Sequence, residues 1–355
     1  MGVKKDYEVL FFAETTKTTK YSDKNKEVLS LQRQKNELNW RWFNIKSVIL
    51  QRTTLTCEQP VKSRIMKQLI RMSPTLNHFR YGMLCLMATT LLHAKAQTTE
   101  DSLAIVSAQW QLTETGKGMH GMCAAFPNLY GGPQFVSIVE INPKQKYRAG
   151  IGTSKQMKPL SKLAQEHRAI AAINGSYYNM SRGNSVTFLK VDDAVTDSTT
   201  ENEFRIRVTG AVAVRKGKLN IVPWSRSIER GYKKKVGTVL ASGPLMLQNS
   251  HYADWSMCDS DFIATKHPRS AIAVTRDKRV LLITVDGRSP GNAIGMSIPE
   301  LAHLVKVLGV KTALNLDGGG STMLYLNGQI LNHPCDNRQF DHEGERKIPN
   351  MIYFR

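Results

Sequence analysis

Glycine is missing from the front of this sequence, where none occurs between Val3 and Arg80. A folded domain of that length normally needs glycine in its turns, and this segment is rich in Lys, Thr and Asn instead. We therefore interpret residues 1–65 as a non-native or disordered N-terminal extension, with the biological start at Met66 or Met72. The alternative is a genuine cytoplasmic tail that precedes an uncleaved membrane anchor.

Cysteine is scarce as well. Five occur in 355 residues, without a C-x-x-C pair, and the histidines do not cluster. Zinc-ribbon and thioredoxin-type folds are therefore excluded. The composition, 41% hydrophobic and 22% charged, also excludes collagen, coiled coils and extensive disorder, and the chain is long enough for one large core or two modest ones.

Acidic residues are outnumbered, with 29 Asp and Glu against 49 Lys and Arg, a formal charge of +20. Residues 1–96 hold 17 basic and 7 acidic side chains, and the remaining 259 residues hold 32 and 22. Half of the surplus therefore precedes the part of the chain that we expect to fold. The charge is weak evidence for nucleic-acid binding, and we predict no nucleic-acid partner.

A short apolar segment follows the region without glycine. Arg80 precedes an apolar stretch at 83–92, and Ala94-Lys95-Ala96 follows it. A basic flank, a short apolar core and a small-x-small cleavage site are typical of a secretory signal, whereas a membrane-spanning helix needs about 20 apolar residues. We predict a signal peptide at 66–96 and export to the periplasm or the extracellular space. Three cysteines would remain, enough for one disulfide at most. A buried helix of a cytosolic domain is the alternative.

From Gln97 onward the sequence has the pattern of short β-strands. Asn327-Gly328 is a favoured dipeptide of a type I′ turn, and Arg276-Asp277-Lys278 joins two apolar runs, so both predict hairpins. The strand-like runs share an enrichment in Val, Ile, Thr and Tyr with near-alternation of apolar residues. They are PQFVSIVEIN, RAIAAINGSYY, RIRVTGAVAVRKGKLNIV, HPRSAIAVTRDKRVLLITVDGR and KTALNLDGGGSTMLYLNGQILN.

Two helices are also predicted. Ser297 and Glu300 form a capping box at the start of SIPELAHLVKVLGV, and PLSKLAQEHR precedes a strand. Hairpins are as frequent as strand-helix-strand units, which argues against a Rossmann order. We expect an α+β fold with mixed β-sheets and a few packed helices, as one domain over 97–355 with its core at about 121–355.

The sharpest local motif is Asn315-Leu316-Asp317-Gly318-Gly319-Gly320-Ser321-Thr322, between two strand-like runs. Its glycines permit backbone conformations in which successive N–H groups converge on an anion, and the two hydroxyls are further donors. No Lys follows the glycines, so the motif is not a P-loop. A flexible turn is the alternative. Asn315 and Asp317 alternate with leucines, which places both polar side chains on one face of a strand end.

Three other strand boundaries carry polar residues. Asp286 and Arg288 follow an apolar run, Asn174-Gly175 follows another, and Arg269 begins a fourth strand. A salt-bridged turn would explain the first pair, and solvation would explain Arg269. Taken together, two carboxylates beside guanidinium groups and backbone donors suit hydrolysis of an anionic ester.

These motifs carry a resemblance to the phosphodiester glycosidase family. HPRSAIAV, LLITVDGR, the block from SIPELAHL to LYLNG, and ERKIPNMIYF resemble the family in this order, and AAINGSYYN and ASGPLMLQNS resemble two further motifs. The resemblance covers 121–355 and implies hydrolysis of a sugar-1-phosphodiester, such as an N-acetylglucosamine-1-phosphodiester, at an extracytoplasmic site. Ser176-Tyr177 departs from the commoner Gly-Phe pair. The pocket residues that the resemblance implies are Asn174, Arg269, Asp286, Arg288, Asn315, Asp317 and Ser321.

The predicted site has two groups of residues. In the catalytic group, Asp317 or Asp286 stabilises an oxocarbenium-like centre or activates water, while Arg288, with Arg269, holds the phosphate. No cofactor is required by this chemistry. The predicted substrate-binding residues are Asn174, Gly175, Arg269, Asn315, Gly318, Gly319, Gly320, Ser321 and Thr322.

Two other functions remain open at this point. In a metal-dependent phosphodiesterase, Asp286 and Asp317 would share a divalent cation, Ca²⁺ or Mg²⁺. In a non-catalytic module that binds cell-envelope glycan, Trp110, Trp224 and Trp255 would be sugar platforms, although single tryptophans more often belong to a core.

Overall fold

The computed structural model describes residues 99–355 except 115–117 and 233–236. The predicted extension at 1–65 and signal peptide at 66–96 lie outside the described residues. A 3₁₀ turn is formed by Gly319–Ser321. The helices are α1 (99–107), α2 (Leu160–Glu166), α3 (Glu201–Ile206), α4 (Arg226–Tyr232), α5 (Ser260–Ala264) and α6 (Ile298–Val307).

Eighteen strands account for most of the remaining regular structure in this region. They are β1 (Gln111–Glu114), β2 (Met119–Phe126), β3 (Gln134–Ile141), β4 (Ala149–Lys158), β5 (Ala171–Asn174), β6 (Leu189–Val191), β7 (Ala194–Asp197), β8 (Gly210–Arg215), β9 (Lys218–Pro223), β10 (Thr238–Ser242), β11 (Leu245–Gln248), β12 (His251–Tyr252), β13 (Arg269–Thr275), β14 (Val280–Val285), β15 (Val310–Asn315), β16 (Leu324–Leu326), β17 (Gln329–Ile330) and β18 (Ile348–Phe354).

The strands form three sheets. An eight-stranded sheet has the order β1-β2-β3-β14-β13-β15-β11-β12, and the two five-stranded sheets have the orders β7-β6-β10-β8-β9 and β17-β16-β5-β18-β4. The pairings recorded between these strands are antiparallel. One core of fully buried aliphatic side chains, with Ile173, Leu240, Ile272 and Leu314 among them, draws on all three sheets. The predicted α+β fold is confirmed.

The local signals of the sequence explain several elements. The Ser297 side chain accepts a hydrogen bond from the Glu300 backbone N–H and the Glu300 carboxylate accepts one from the Ser297 N–H, so the capping box forms at the start of α6. Asn327 and Gly328 have φ values of 47° and 95° between β16 and β17, as a type I′ turn requires. The hairpin predicted at 276–278 joins β13 to β14.

One predicted strand is partly a helix. The run that begins at Arg205 was expected to be extended, but α3 covers its first residues and β8 begins only at Gly210. The reason is a helix N-cap at Thr200, whose side chain accepts a hydrogen bond from the Glu203 backbone N–H, 3.3 Å away. Thr-x-x-Glu is the sequence signal that could have indicated this helix.

Two further findings concern cysteine and membrane helices. Cys123, Cys258 and Cys335 are free thiols, so no disulfide joins the three cysteines that the structure describes. Among the described residues, no helix combines the length and apolar character that crossing a bilayer requires.

Candidate active site

Strand ends from two sheets meet at the glycine-rich loop. The β5 residue Asn174 donates from Nδ2 to the Asp317 carbonyl oxygen, 2.7 Å away, and its Oδ1 accepts from Ser270 Oγ at the start of β13, 2.6 Å away. The Asp317 N–H donates to the Gly175 carbonyl oxygen at 3.1 Å. Asn174 is fully buried, so it fastens the two sheets together below the loop and fixes the position of Asp317.

Asp317 is the carboxylate that the structure places at the centre of this site. Its side chain is only partly exposed, and the Ser321 hydroxyl and the Gly318 N–H donate hydrogen bonds to it. Burial raises the pKa of Asp317 to about 6, although these two hydrogen bonds and the charges of Arg207 and Arg346 act in the opposite direction. A carboxyl group with this pKa is mostly ionised at neutral pH, so it can stabilise positive charge there, and it can also take up a proton as a general base must.

Two arginines act on the charge of Asp317, and a third lies over the neighbouring Gly319. Arg207 lies on one side, with its guanidinium carbon 3.6 Å from the centroid of the Tyr177 ring and two hydrogen bonds to Glu203 at 2.8 and 2.9 Å. Arg346 donates from Nε to Asp336 at 3.1 Å. A Cβ atom added to Gly320 would lie 2.4 Å from Arg346 Nη2, so that side chain covers the loop directly.

The third arginine, Arg288, was predicted from the sequence. A Cβ atom on Gly319 would lie 2.9 Å from its Nη2 atom, and its Nη1 atom is 3.9 Å from the Cys335 Sγ. The Arg288 side chain is exposed, and within the described region no carboxylate lies within ion-pair distance of it. Arg207 and Arg346 are each neutralised by a carboxylate, so Arg288 is the cation of this group that is available to an anionic ligand.

Asp286 is placed differently from Asp317. It is 1% exposed, and both of its oxygens are engaged: Oδ1 by Asn332 Nδ2 at 3.0 Å, and Oδ2 by the His333 N–H at 3.0 Å and His333 Nδ1 at 2.8 Å. Burial raises its pKa, and these partners act against the rise. The Asn332 amide also donates to the Thr322 carbonyl oxygen, so Asp286 supports the far end of the glycine-rich loop from below. These contacts favour Asp317 over Asp286 as the carboxylate that meets substrate.

The glycine-rich loop is not an open nest of N–H groups. The backbone N–H groups of Gly319, Ser321 and Thr322 donate to the carbonyl oxygens of Pro268, Gly318 and Gly319, at 2.8 to 3.2 Å, because the loop winds into a 3₁₀ turn. Gly319 has a positive φ, 60°, whereas Gly320 does not. The glycines instead allow two arginine side chains to approach the backbone closely. A side chain at position 319 would meet Arg288, and one at position 320 would meet Arg346.

Arg269 is held away from the ligand side of the site. It is 2% exposed, with Nε bonded to the Met296 carbonyl oxygen at 2.9 Å and Nη2 bonded to those of Phe262 and Thr265 at 3.1 and 2.7 Å. Burial lowers its pKa to about 10. These contacts do not support the predicted phosphate contact of Arg269; the side chain fastens α5 and the start of α6 to β13.

Asn315 and Thr322 are likewise buried. The Asn315 Nδ2 atom lies 2.9 Å from both the Tyr177 Oη and the Gly243 carbonyl oxygen, and Tyr177 Oη donates to that same carbonyl. A phenylalanine at position 177 could not make these bonds, so the departure from the commoner Gly-Phe pair has a structural use: it fixes the ring on which Arg207 rests. Thr322 is 2% exposed and lies beneath the loop.

Sequence reasoning missed Arg207, Arg346 and Tyr178 as site residues. Tyr178 is hydrogen-bonded through its side chain to Ser321, and its hydroxyl donates to the Lys347 carbonyl oxygen at 3.1 Å. Arg346 lies in the ERKIPNMIYF motif and Tyr178 in AAINGSYYN, so both were within motifs already quoted. Arg207 had no such signal, because it was assigned to the interior of a strand.

A divalent cation does not fit these residues. Sharing a cation between Asp286 and Asp317 would require free carboxylate oxygens on both, and both oxygens of Asp286 already accept N–H bonds or face His333. In the part of the chain that the structure describes, no three His, Cys, Asp or Glu side chains converge as metal ligands would.

Of the three predicted sugar platforms, Trp224 is 4% exposed and packs on Phe188 and Tyr232, as a core residue does.

The raised pKa of Asp317 predicts two pH effects. If ionised Asp317 acts on substrate, kcat/KM falls as the pH decreases through about 6.

The same pKa predicts an effect on stability. Because folding raises the pKa of Asp317 above its ordinary 3.8, the ionised carboxylate destabilises the folded protein. This destabilisation is present above pH 6 and absent below about pH 4. Asp317→Asn should therefore melt at a higher temperature than the wild type above pH 6, with no difference below about pH 4. Thermal melts across this range check it, and equal melting temperatures at every pH would contradict it.

Known proteins resemble this chain in sequence. The phosphodiester glycosidase family model matches residues 167–355. Mouse N-acetylglucosamine-1-phosphodiester alpha-N-acetylglucosaminidase is 32% identical over 80 residues, which are 22% of this chain and 15% of the mouse protein. The SPbeta prophage-derived uncharacterized protein YomE of Bacillus subtilis is 27% identical over 205 residues, 55% of this chain and 30% of YomE. The chain thus spans less than a third of the length of either relative.

The fold also matches a solved structure. The catalytic domain of zebrafish N-acetylglucosamine-1-phosphodiester alpha-N-acetylglucosaminidase, auto-inhibited by its pro-peptide, superposes with a TM-score of 0.54 at 17% identity, over 70% of this chain and 87% of that one. The likeness shows a shared fold. The family model spans more than half of the sequence and contains every predicted site residue from Asn174 to Thr322, and the chain therefore belongs to the phosphodiester glycosidase family.

Proposed function

We propose that this chain hydrolyses a sugar-1-phosphodiester by breaking the bond between the sugar C1 and the phosphate oxygen. Water supplies the hydroxyl group that C1 gains, and the phosphate leaves with its second ester intact. The mouse and human relatives are named for an N-acetylglucosamine-1-phosphodiester, so that is the first substrate to test. The family supports hydrolase chemistry in general; the sugar and the exported location are parts of this proposal.

The observation that carries the proposal is one central carboxylate surrounded by guanidinium groups. A phosphate monoester is a good leaving group that needs little protonation, so a second acidic group is not required. Ionised Asp317 stabilises the positive charge that develops at C1 or accepts a proton from the attacking water. Arg288 binds the phosphate and counters the charge that grows on it as the bond breaks.

Product analysis tests the function directly. The full chain is incubated with UDP-N-acetylglucosamine and with a methyl-phosphate diester of the same sugar, each with and without a chelator. We expect free N-acetylglucosamine from at least one of them, unchanged by the chelator. Release of methanol or of sugar 1-phosphate would indicate cleavage at phosphorus, and a site that binds these compounds without forming product would be a binding module.

Arg288→Lys separates substrate binding from chemistry. An ammonium group cannot reproduce the two-pronged contact of a guanidinium with phosphate, so KM should rise about tenfold or more while kcat changes little. Steady-state kinetics measure both constants. Arg276→Lys is the matched control, because Arg276 is an exposed arginine in the β13-β14 turn, at the end of those strands away from the site. Equal KM values for the two variants would contradict the role of Arg288.

The proposal includes export of the protein. Because Ala94-Lys95-Ala96 ends the apolar segment, we expect the exported protein to begin at Gln97 or within a few residues of it. N-terminal sequencing of the protein recovered from its native host measures this. Exported protein that still begins at Met1 would contradict the processing prediction and leave the proposed chemistry unaffected.

A further inference from the structure

Five exposed cations converge at one end of the fold, and we call them the basic pole: Arg148, Arg215, Lys216, Lys218 and Arg355. They come from three segments that are joined by backbone hydrogen bonds. Arg148 and Arg355 exchange N–H to carbonyl bonds at 2.8 and 3.1 Å, and Arg215 pairs with Lys218 across the β8-β9 hairpin.

The two parts of the basic pole touch at Gly217, in the turn of that hairpin. The Gly217 carbonyl oxygen accepts the Ala149 N–H at 2.9 Å, and a Cβ atom on Gly217 would lie 3.0 Å from Arg148 Nε. The side chain of Arg148 therefore crosses the hairpin turn that carries Arg215, Lys216 and Lys218. The segments that carry the five positive charges are therefore in direct contact.

No side-chain carboxylate of the described residues pairs with these cations, since the ion pairs found there involve other lysines and arginines. A neighbouring carboxylate, that of Asp193, is engaged by other groups: it accepts a hydrogen bond from the Gly237 N–H at 2.6 Å and lies 3.9 Å from the Lys190 Nζ. Lys144 and Lys146, both exposed, lie in the segment that leads to Arg148 and enlarge the positive surface. Like charges held close together raise the local potential and favour an anionic partner.

The basic pole lies at the opposite end of the strands from the candidate active site. The first residue of β5, Ala171, pairs with Phe354 next to Arg355, whereas its last residue, Asn174, bonds the Asp317 carbonyl oxygen. A partner bound to the basic pole therefore leaves the active site open to solvent. A polymeric substrate that lies across one end of the strands could not contact both the active site and the basic pole. This argues against the basic pole as an extension of the substrate site.

We propose that the basic pole binds the surface of an anionic phospholipid bilayer and holds the enzyme with its active site facing away from the lipid. A surface of five cations without exposed apolar side chains suits electrostatic adsorption to headgroups without insertion. Proteins that bind single-stranded nucleic acid interleave basic residues with stacking aromatics, whereas here Tyr353, beneath Arg355, is 8% exposed and the partly exposed Tyr147 packs against the hydrophobic core. The bilayer is therefore favoured over nucleic acid.

Vesicle sedimentation of the full chain tests this surface. The double variant Arg215→Gln/Lys218→Gln removes two charges from the basic pole. The control, Lys155→Gln/Lys162→Gln, also removes two exposed charges, but outside the basic pole: Lys155 lies in β4, away from the start of that strand at the pole, and Lys162 lies in α2. Both variants carry residues 1–98, so any lipid affinity of that segment cancels between them. On mixed phosphatidylcholine and phosphatidylglycerol vesicles, the first variant should bind about 30-fold more weakly than the second, as the loss of two surface cations predicts.

Three further arms decide the outcome. In about 1 M salt, where the Debye length is about 3 Å, the difference between the variants should vanish. Equal binding of the two variants at low salt, or an equal difference on pure phosphatidylcholine, would overturn the proposal. Duplex DNA that binds the wild type more tightly than the vesicles, with the same dependence on Arg215 and Lys218, would make nucleic acid the partner and would also overturn it. Sedimentation needs no turnover, so the result is independent of the proposed reaction.

Discussion

Asp317→Asn should lower kcat by at least about 100-fold while the substrate still binds. The substitution keeps the shape of the side chain and removes the one charge that can stabilise the sugar C1 or accept a proton from water. The Ser321 hydroxyl and the Gly318 N–H that now face the carboxylate would still find an amide oxygen, so the loop should keep its geometry. Steady-state kinetics together with a binding measurement by calorimetry separate kcat from affinity.

Asp286→Asn is the matched comparison, because both aspartates follow a strand end and only their surroundings differ. An amide at position 286 would turn one N–H group towards the donors of Asn332 and His333, which should destabilise the fold by about 1–3 kcal/mol. Its kcat should stay within about tenfold of the wild type, as expected of a group that acts through the loop. If Asp317→Asn retains a normal kcat, or if Asp286→Asn loses as much with an unchanged melting temperature, the assignment of Asp317 is wrong.

Gly319→Val should lower kcat/KM by at least about 100-fold, because it displaces the whole Arg288 guanidinium from the phosphate. At a φ of 60° a β-branched residue is strained, by about 1–3 kcal/mol, and the new Cβ would lie 2.9 Å from Arg288 Nη2. The arginine that is free to bind phosphate would have to leave its position above the loop. The measurement pairs kcat/KM with the free energy of unfolding from urea denaturation.

Gly328→Val is the control for the backbone strain. Gly328 also has a positive φ, 95°, in the β16-β17 turn, and a Cβ atom there would meet nothing within 4 Å. This variant should lose a similar amount of stability and keep its activity. A Gly319→Val protein that folds and retains wild-type kcat/KM would reduce the loop to an ordinary turn, and equal losses of activity in both variants would show that strain alone is responsible.

Local patterns were sufficient for much of the fold. The capping box at Ser297, the Asn327-Gly328 turn and the alternation in β13 and β14 depend on contacts between residues close in sequence, so they could be predicted. The helix at Glu201–Ile206 was missed because its last residues were assigned to the strand-like run that begins at Arg205, whereas the cap at Thr200 lies before that run. The resemblance located the site residues for a different reason, since the motifs that carry it contain them.

The sequence by itself determined which strands end in polar residues, and therefore that Asn174, Asp286 and Asp317 lie near one place. Only the tertiary structure decided what surrounds each of them. Whether a side chain meets a ligand or a carbonyl oxygen depends on residues far away in the chain: His333 engages Asp286, Met296 engages Arg269, and Arg207 and Arg346 approach Asp317 from opposite halves of the family domain. Burial and charge pairing are properties of the packed fold, because each is a sum over neighbours that the sequence order does not record.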